Sequence, residues 1–158
     1  MSDLSLNVSV SDNKAALFVE GRANFKCTES VKKFCSKVMA DGVQLLQIDL
    51  SKCIMMDSTF MGILTGVGIE GKSRKISVQI LNAGDANKKL LFDLGLKTVF
   101  DYVDTDIDYQ DAQELEQEEL TNEQHAVNVR DGHQNLIDVH EPNREIFQDI
   151  LDFLNENP

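Results

Sequence analysis

The chain has 158 residues, 42% of them hydrophobic, which is enough for one domain with a respectable core plus an appendage. A formal charge of -12 argues against nucleic acid or an anionic membrane surface as a partner. Cys27, Cys35 and Cys53 form no CxxC pair and leave one cysteine over, so a disulfide framework is excluded and a cytoplasmic location is expected.

The acidic excess lies entirely after residue 100, and residues 101 to 124 hold ten acids and no base. Such a block repels itself and marks a solvated linker or an exposed helix. No apolar run approaches the roughly 20 residues of a membrane span, and MSDLSLNVSV lacks the regions of a signal peptide. Membrane insertion is not expected.

In chain order, Leu4, Leu6, Val8 and Val10 alternate with polar residues, SDNK supplies turn chemistry and AALFVEG repeats a strand-like run, which predicts an N-terminal hairpin. Val31, Phe34, Cys35, Val38 and Met39 recur at helical spacing until Asp41-Gly42 ends the pattern. VQLLQIDL, residues 43 to 50, reads as a strand buried on both faces. A helix from about Ser58 to Glu70, a strand over Ile76 to Leu81, a helix from about Asp85 to Leu94 with Gly95 as its C-cap, and a short strand in TVFDYV complete the series. This order predicts an α/β fold with a mostly parallel sheet and an antiparallel edge strand.

TGVGIEGKS, Thr65 to Ser73, matches the phosphate-loop pattern G-x-x-x-x-G-K-[ST] through Gly66, Gly71, Lys72 and Ser73. A phosphate loop runs from strand to turn to helix, because the anion sits on the free amides of the helix N-terminus. Here the glycines close a helix and lead into a strand, so the pattern would offer a negative helix end. Its small residues are better suited to letting the helix lie close to the sheet, and no nucleotide or other cofactor is expected.

A different stretch, IDLSKCIMMDSTFMGIL, sets Asp57-Ser58-Thr59 immediately before a helix, where side-chain oxygens satisfy free backbone donors. By spacing alone these are N-cap residues. The stretch also resembles the signature of bacterial anti-sigma-factor antagonists, the STAS domain, in which a strand ending in Asp-Leu-Ser precedes an apolar turn, an Asp-Ser-(Ser/Thr)-Gly group and a helix. The similarity covers roughly residues 4 to 104, including the EGRANF turn and the passage LLFDLGLKTV.

The resemblance implies a STAS-like domain over residues 1 to 104 and a non-enzymatic role in transcription regulation. The antagonist would bind an anti-sigma factor that is also a serine kinase, and phosphorylation at Ser58 would switch it off. Asp57 and Thr59 would support the phosphosite, and Asn24, Asp57, Ser58, Thr59, Phe60 and Met61 would meet the partner. Phe60 departs from the family's Gly and Met61 from its common aliphatic residue. The alternative is a STAS scaffold subunit of a lipid or solute transport assembly, without the phospho-switch.

Beyond the domain, residues 105 to 124 form the acidic linker or exposed helix and residues 125 to 158 an amphipathic helical tail. In DYVDTDIDYQDAQELE, Tyr109 stands where a calcium loop needs Gly and Leu115 where it needs the bidentate Glu. His125, His133 and His140 are seven or eight apart with no nearby cysteine, which disfavours zinc. No metal is expected, and no nucleophile-base pair is evident. Thr121 to Gln124 has capping-box form, Asp131-Gly132 and Pro142 break any single long helix, and NREIFQDILDFLN places Ile146, Phe147, Ile150, Leu151 and Leu154 on one side. That helix is expected to fold back on the core; its functional alternative is homodimerisation or partner docking.

Overall fold

In the computed structural model, which describes residues 3–109 and 111–156, the alternating strand Leu4–Val10 (β1) returns antiparallel as Lys14–Ala23 (β2). The register sets Leu6 opposite Val19 and Val8 opposite Leu17, so apolar side chains of both strands share one face. Helix Thr28–Ala40 (α1) leads to strand Leu45–Met56 (β3), helix Ser58–Arg74 (α2), strand Ser77–Leu81 (β4), helix Asp85–Asp93 (α3) and strand Asp101–Val103 (β5). A two-residue strand, Gln113–Glu114 (β6), precedes helices Asn122–Val139 (α4) and Asn143–Glu156 (α5). The sheet order is β5-β4-β3-β2-β1-β6, with β2 through β5 parallel to one another and β1 antiparallel to both its neighbours. The expected α/β class is the one found.

One apolar cluster joins Leu6, Leu17, Ile48 and Ile80 of the sheet to α1, α2 and α3, and extends to Leu136 and Ile137 of α4 and Phe147 and Leu151 of α5. The other face of β3 is not the continuous apolar surface that VQLLQIDL suggests. It presents buried Asp49 and half-buried Gln47, and β3 continues past Leu50 to Met56. The acidic segment covers part of that face. Tyr109 packs on Phe18 with ring centroids 4.2 Å apart, and its hydroxyl donates to Asp49, which also accepts from Ser51 Oγ at 2.7 Å and Asn82 Nδ2 at 3.0 Å. Burial and the Asp49 carboxylate push the Tyr109 phenol up to about 12. Further on, Ser30 Oγ donates to the Glu116 carbonyl and Lys33 pairs with Glu118 at 2.9 Å. Ten clustered acids are thus laid over the domain through a few specific contacts.

Two other expectations change. α2 runs through the whole phosphate-loop pattern to Arg74 and ends on Lys75 in the left-handed region (φ 60). Gly71 serves packing there, since a Cβ would come 2.4 Å from a Val78 methyl. Within TVFDYV only Asp101–Val103 is strand, after a single 3-10 turn at Leu96–Thr98.

The helix break expected at Asp131-Gly132 is absent: both residues lie inside α4, and the chain turns only between Val139 and Asn143. Gly132 is retained in a helix interior, at about 1 kcal/mol relative to Ala, because α4 crosses α2 there with backbones almost in contact. A Cβ on Gly62 would stand 2.1 Å from the Gly132 carbonyl oxygen, and one on Gly132 would stand 2.9 Å from that of Thr59. Asn135 Nδ2 donates to the Gly62 carbonyl at 3.1 Å beside the crossing. α5 folds back as expected, burying Phe147 and Leu151, while Ile146 and Ile150 remain exposed. Among the described residues no helix is long and apolar enough to cross a membrane.

Gly62→Ala forces two helices apart, so it should lower stability by about 1–3 kcal/mol. Gly84→Ala, where an added Cβ meets nothing within 4 Å, should change it by only a few tenths. Urea unfolding of both variants checks the contrast.

Candidate functional site

The site forms where β3 hands over to α2. Asp57 is the N-cap, extended at φ -88 and ψ 171, and its Oδ1 accepts from the Phe60 amide at 2.8 Å. Its Oδ2 accepts from the Phe25 amide at 2.9 Å, and its own amide donates to the Ala23 carbonyl at 2.9 Å. One carboxylate therefore ties the turn after β2 to the first turn of α2. Asn24 accepts from the Lys26 amide at 2.9 Å and caps the single 3-10 turn Phe25–Cys27, an ordinary local role.

Ser58 is the first residue of α2 and is half-buried. Its neighbours on the expected partner surface are not available to a visitor: Thr59 is 5% exposed, Phe60 0% and Met61 4%. The helix turns these three under the sheet-facing layer, so the ring of Phe60 fills core instead of covering the serine. The apolar groups that do stand out beside the turn are Ile54 and Met55 at the end of β3, 69% and 40% exposed. The pairing of β3 with β2 slips there, from Gly21 opposite Cys53 to Arg22 opposite Met55, so Ile54 is an extra residue and strict alternation is lost.

A residue from the tail completes the site. The Oγ of Ser58 lies 2.8 Å from Nε2 of His133 on α4, and Nδ1 of His133 lies 2.8 Å from the Val129 carbonyl. A carbonyl only accepts, so Nδ1 carries the hydrogen, and in neutral imidazole Nε2 must then accept from the Ser58 hydroxyl. Burial lowers the His133 pKa from its ordinary 6.5; the hydrogen bond to Val129 and the charge of Asp57 act the other way and are outweighed. His133 is 3% exposed and stacks against Phe147 of α5 at 4.9 Å. The nucleophile-base geometry that sequence spacing did not reveal is thus present, across 75 positions of chain. Its one trace in the sequence is a titratable residue at an apolar-face position of α4, between Val129 and Leu136.

No family model matches the sequence, and no curated protein does either. Solved structures do resemble it. The unphosphorylated form of the anti-sigma factor antagonist SpoIIAA superimposes with a TM-score of 0.56 at 18% identity, over 65% of this chain and 88% of that one. An anti-sigma factor antagonist from Mycobacterium paratuberculosis gives 0.56 at 20% identity, over 81% and 95%. The phosphorylated form of the Bacillus cell fate determinant SpoIIAA gives 0.54 at 17%, over 65% and 91%. The chain has the STAS fold of anti-sigma factor antagonists. In the two SpoIIAA comparisons about a third of this chain lies outside the superposition.

Two measurements check the site. Asp57→Ala removes the acceptor for two amides and should cost about 1–2 kcal/mol, more than Asn24→Ala, by denaturant unfolding. For His133 the folded pKa lies below the unfolded one, so between the two values the unfolded chain binds the extra proton. Stability is then complete above pH 6.5 and declines as pH falls beneath it. Imidazole NMR should place the His133 midpoint below 6.5, and unfolding from pH 7.5 to 5 should show the loss shrinking in His133→Phe.

Proposed function

We propose that the chain is an anti-sigma-factor antagonist that binds an anti-sigma factor with serine kinase activity and is switched off by phosphate on Ser58. It acts by binding and turns over no substrate of its own, and it works in the cytoplasm. The observation that carries this reading is the placement of Ser58: in a STAS fold, it is the hydroxyl-bearing residue of the Asp57-Ser58-Thr59 group that is only half-buried, at the first position of α2. Thr59 is too deeply buried to serve as acceptor.

The docking surface is the rim around that hydroxyl. Ile54 and Met55 supply apolar area, and Asn24 and Asp57 border it. Phosphorylation adds about -1.5 to -2 charges at neutral pH. Set beside the Asp57 carboxylate in a desolvated interface, the dianion meets both repulsion and dehydration, and a loss of about 1.4 kcal/mol already weakens binding tenfold.

Incubation with the cognate kinase and ATP should add one phosphate by intact mass to the wild type and none to Ser58→Ala. Ser58→Asp should bind the partner at least tenfold more weakly by calorimetry, with an unchanged circular dichroism spectrum; equal affinity would rule out the charge mechanism. Ile54→Asp should likewise weaken binding without unfolding the chain.

A further inference from the structure

We infer that His133 is a catalytic base supplied by this chain: it takes the hydroxyl proton when Ser58 attacks a phosphoryl group. The inference rests on the reading of Ser58 as a phosphate acceptor, and deepens it by assigning the proton.

Three observations converge where α2 meets α4. The acceptor oxygen and the base are already within hydrogen-bond distance, at 2.8 Å. The base is oriented by a third group, the Val129 carbonyl on Nδ1, which leaves the Nε2 lone pair facing the hydroxyl. Its position is held by backbone packing as well as by side chains, because Gly132, the preceding residue, is pressed against the Thr59 carbonyl of α2. Ser58 and Gly62 are one turn apart on α2, so the glycine crossing and the serine share a face. A buried neutral imidazole is also in the state a base requires at pH 7. Asp57 on the α2 cap is the charged group acting on it, and α5 faces it with the Phe147 ring.

The step balances as follows. The Ser58 Oγ lone pair forms the Oγ–P bond, the Oγ proton passes to Nε2, and the bond from phosphorus to the leaving oxygen breaks with its electron pair on the departing group. With the nucleoside triphosphate of the partner kinase as donor, that group is a nucleoside diphosphate. The resulting imidazolium stands beside the new phosphate, and the positive end of α2 favours the same charge. The donor side need not bring its own base to this serine.

A fluorophosphonate tests the pair without any kinase, since Ser58 would displace fluoride from its phosphorus. The full-length chain is treated with the reagent from pH 5 to 9, and the adduct on Ser58 is quantified by peptide mass spectrometry against the chain's other serines. The expected result is preferential labelling of Ser58, rising through a midpoint below 6.5 and level at neutral pH. His133→Phe, which preserves the ring packing, should label about 100-fold more slowly. His133→Gln, which can accept a hydrogen bond but not a proton, should lose both rate and inflection. If His133→Gln kept the rate and profile, or if wild-type Ser58 reacted no faster than the reference serines, the inference would be overturned. The wild-type pH profile decides the matter even if a variant fails to fold. A cognate kinase that ignored Ser58 would instead sink the phospho-switch while leaving the labelling result intact.

Discussion

The site depends on the contact between Gly62 of α2 and Gly132 of α4. Ordinary helix pairs pack at axis separations of about 8–10 Å, set by interposed side chains; here neither helix has a side chain at the crossing, and a Cβ on Gly62 would all but coincide with a backbone carbonyl. Close approach has a positional result. The residue after Gly132 projects toward the residue one turn before Gly62, and these are His133 and Ser58. The polar contacts then follow: Asn135 meets the Gly62 carbonyl, and Asn143 Nδ2 meets the Leu94 and Leu136 carbonyls at 2.8 Å each, fixing the corner between α4 and α5. The tail is therefore an integral layer of the domain and part of its reactive corner.

Charge at that corner is settled by competition. Asp57 is committed to two backbone amides, which localises its negative charge on the α2 cap. It favours a protonated His133, as does the Val129 carbonyl, yet burial under Phe147 outweighs both. The same burial that keeps the imidazole neutral lowers the dielectric on the ring side of the part-buried Ser58 hydrogen bond, which strengthens it. Hydroxyl, ring and cap form one electrostatic unit, so a change of charge at the hydroxyl or the cap acts on the protonation of His133.

Much of the domain was legible in the sequence because its signals are local. Alternation in LSLNVSV, the apolar run before Asp49, the Thr121 capping box and the Asp57 cap all act within a few residues, and the structure forms the elements they encode. What was not legible is tertiary. Asp131-Gly132 has the local chemistry of a turn, but a facing glycine 70 positions earlier makes the helical form worth keeping. Phe60 and Met61 follow the serine in sequence, yet the helical repeat carries them inward, while Ile54 and Met55, on a strand longer than its apolar core, face outward. His133 gave no signal because its partner lies on another helix. In the acidic segment, charge density pointed to solvation, yet Tyr109 over Asp49 and the contacts of Glu116 with Ser30 and Glu118 with Lys33 anchor it.

That anchoring has a bearing on assembly of the fold. The chain leaves β5 at one margin of the sheet and next pairs, as β6, at the opposite margin. Five spacings of about 4.8 Å make this crossing roughly 24 Å, and the ten steps of chain from Val103 to Gln113 reach at most about 36 Å. The connection is long enough to span the assembled sheet, and without β6 the β1 edge is an open border able to recruit other chains. The acidic crossing closes part of that border, and its like charges discourage a neighbouring molecule from pairing there instead.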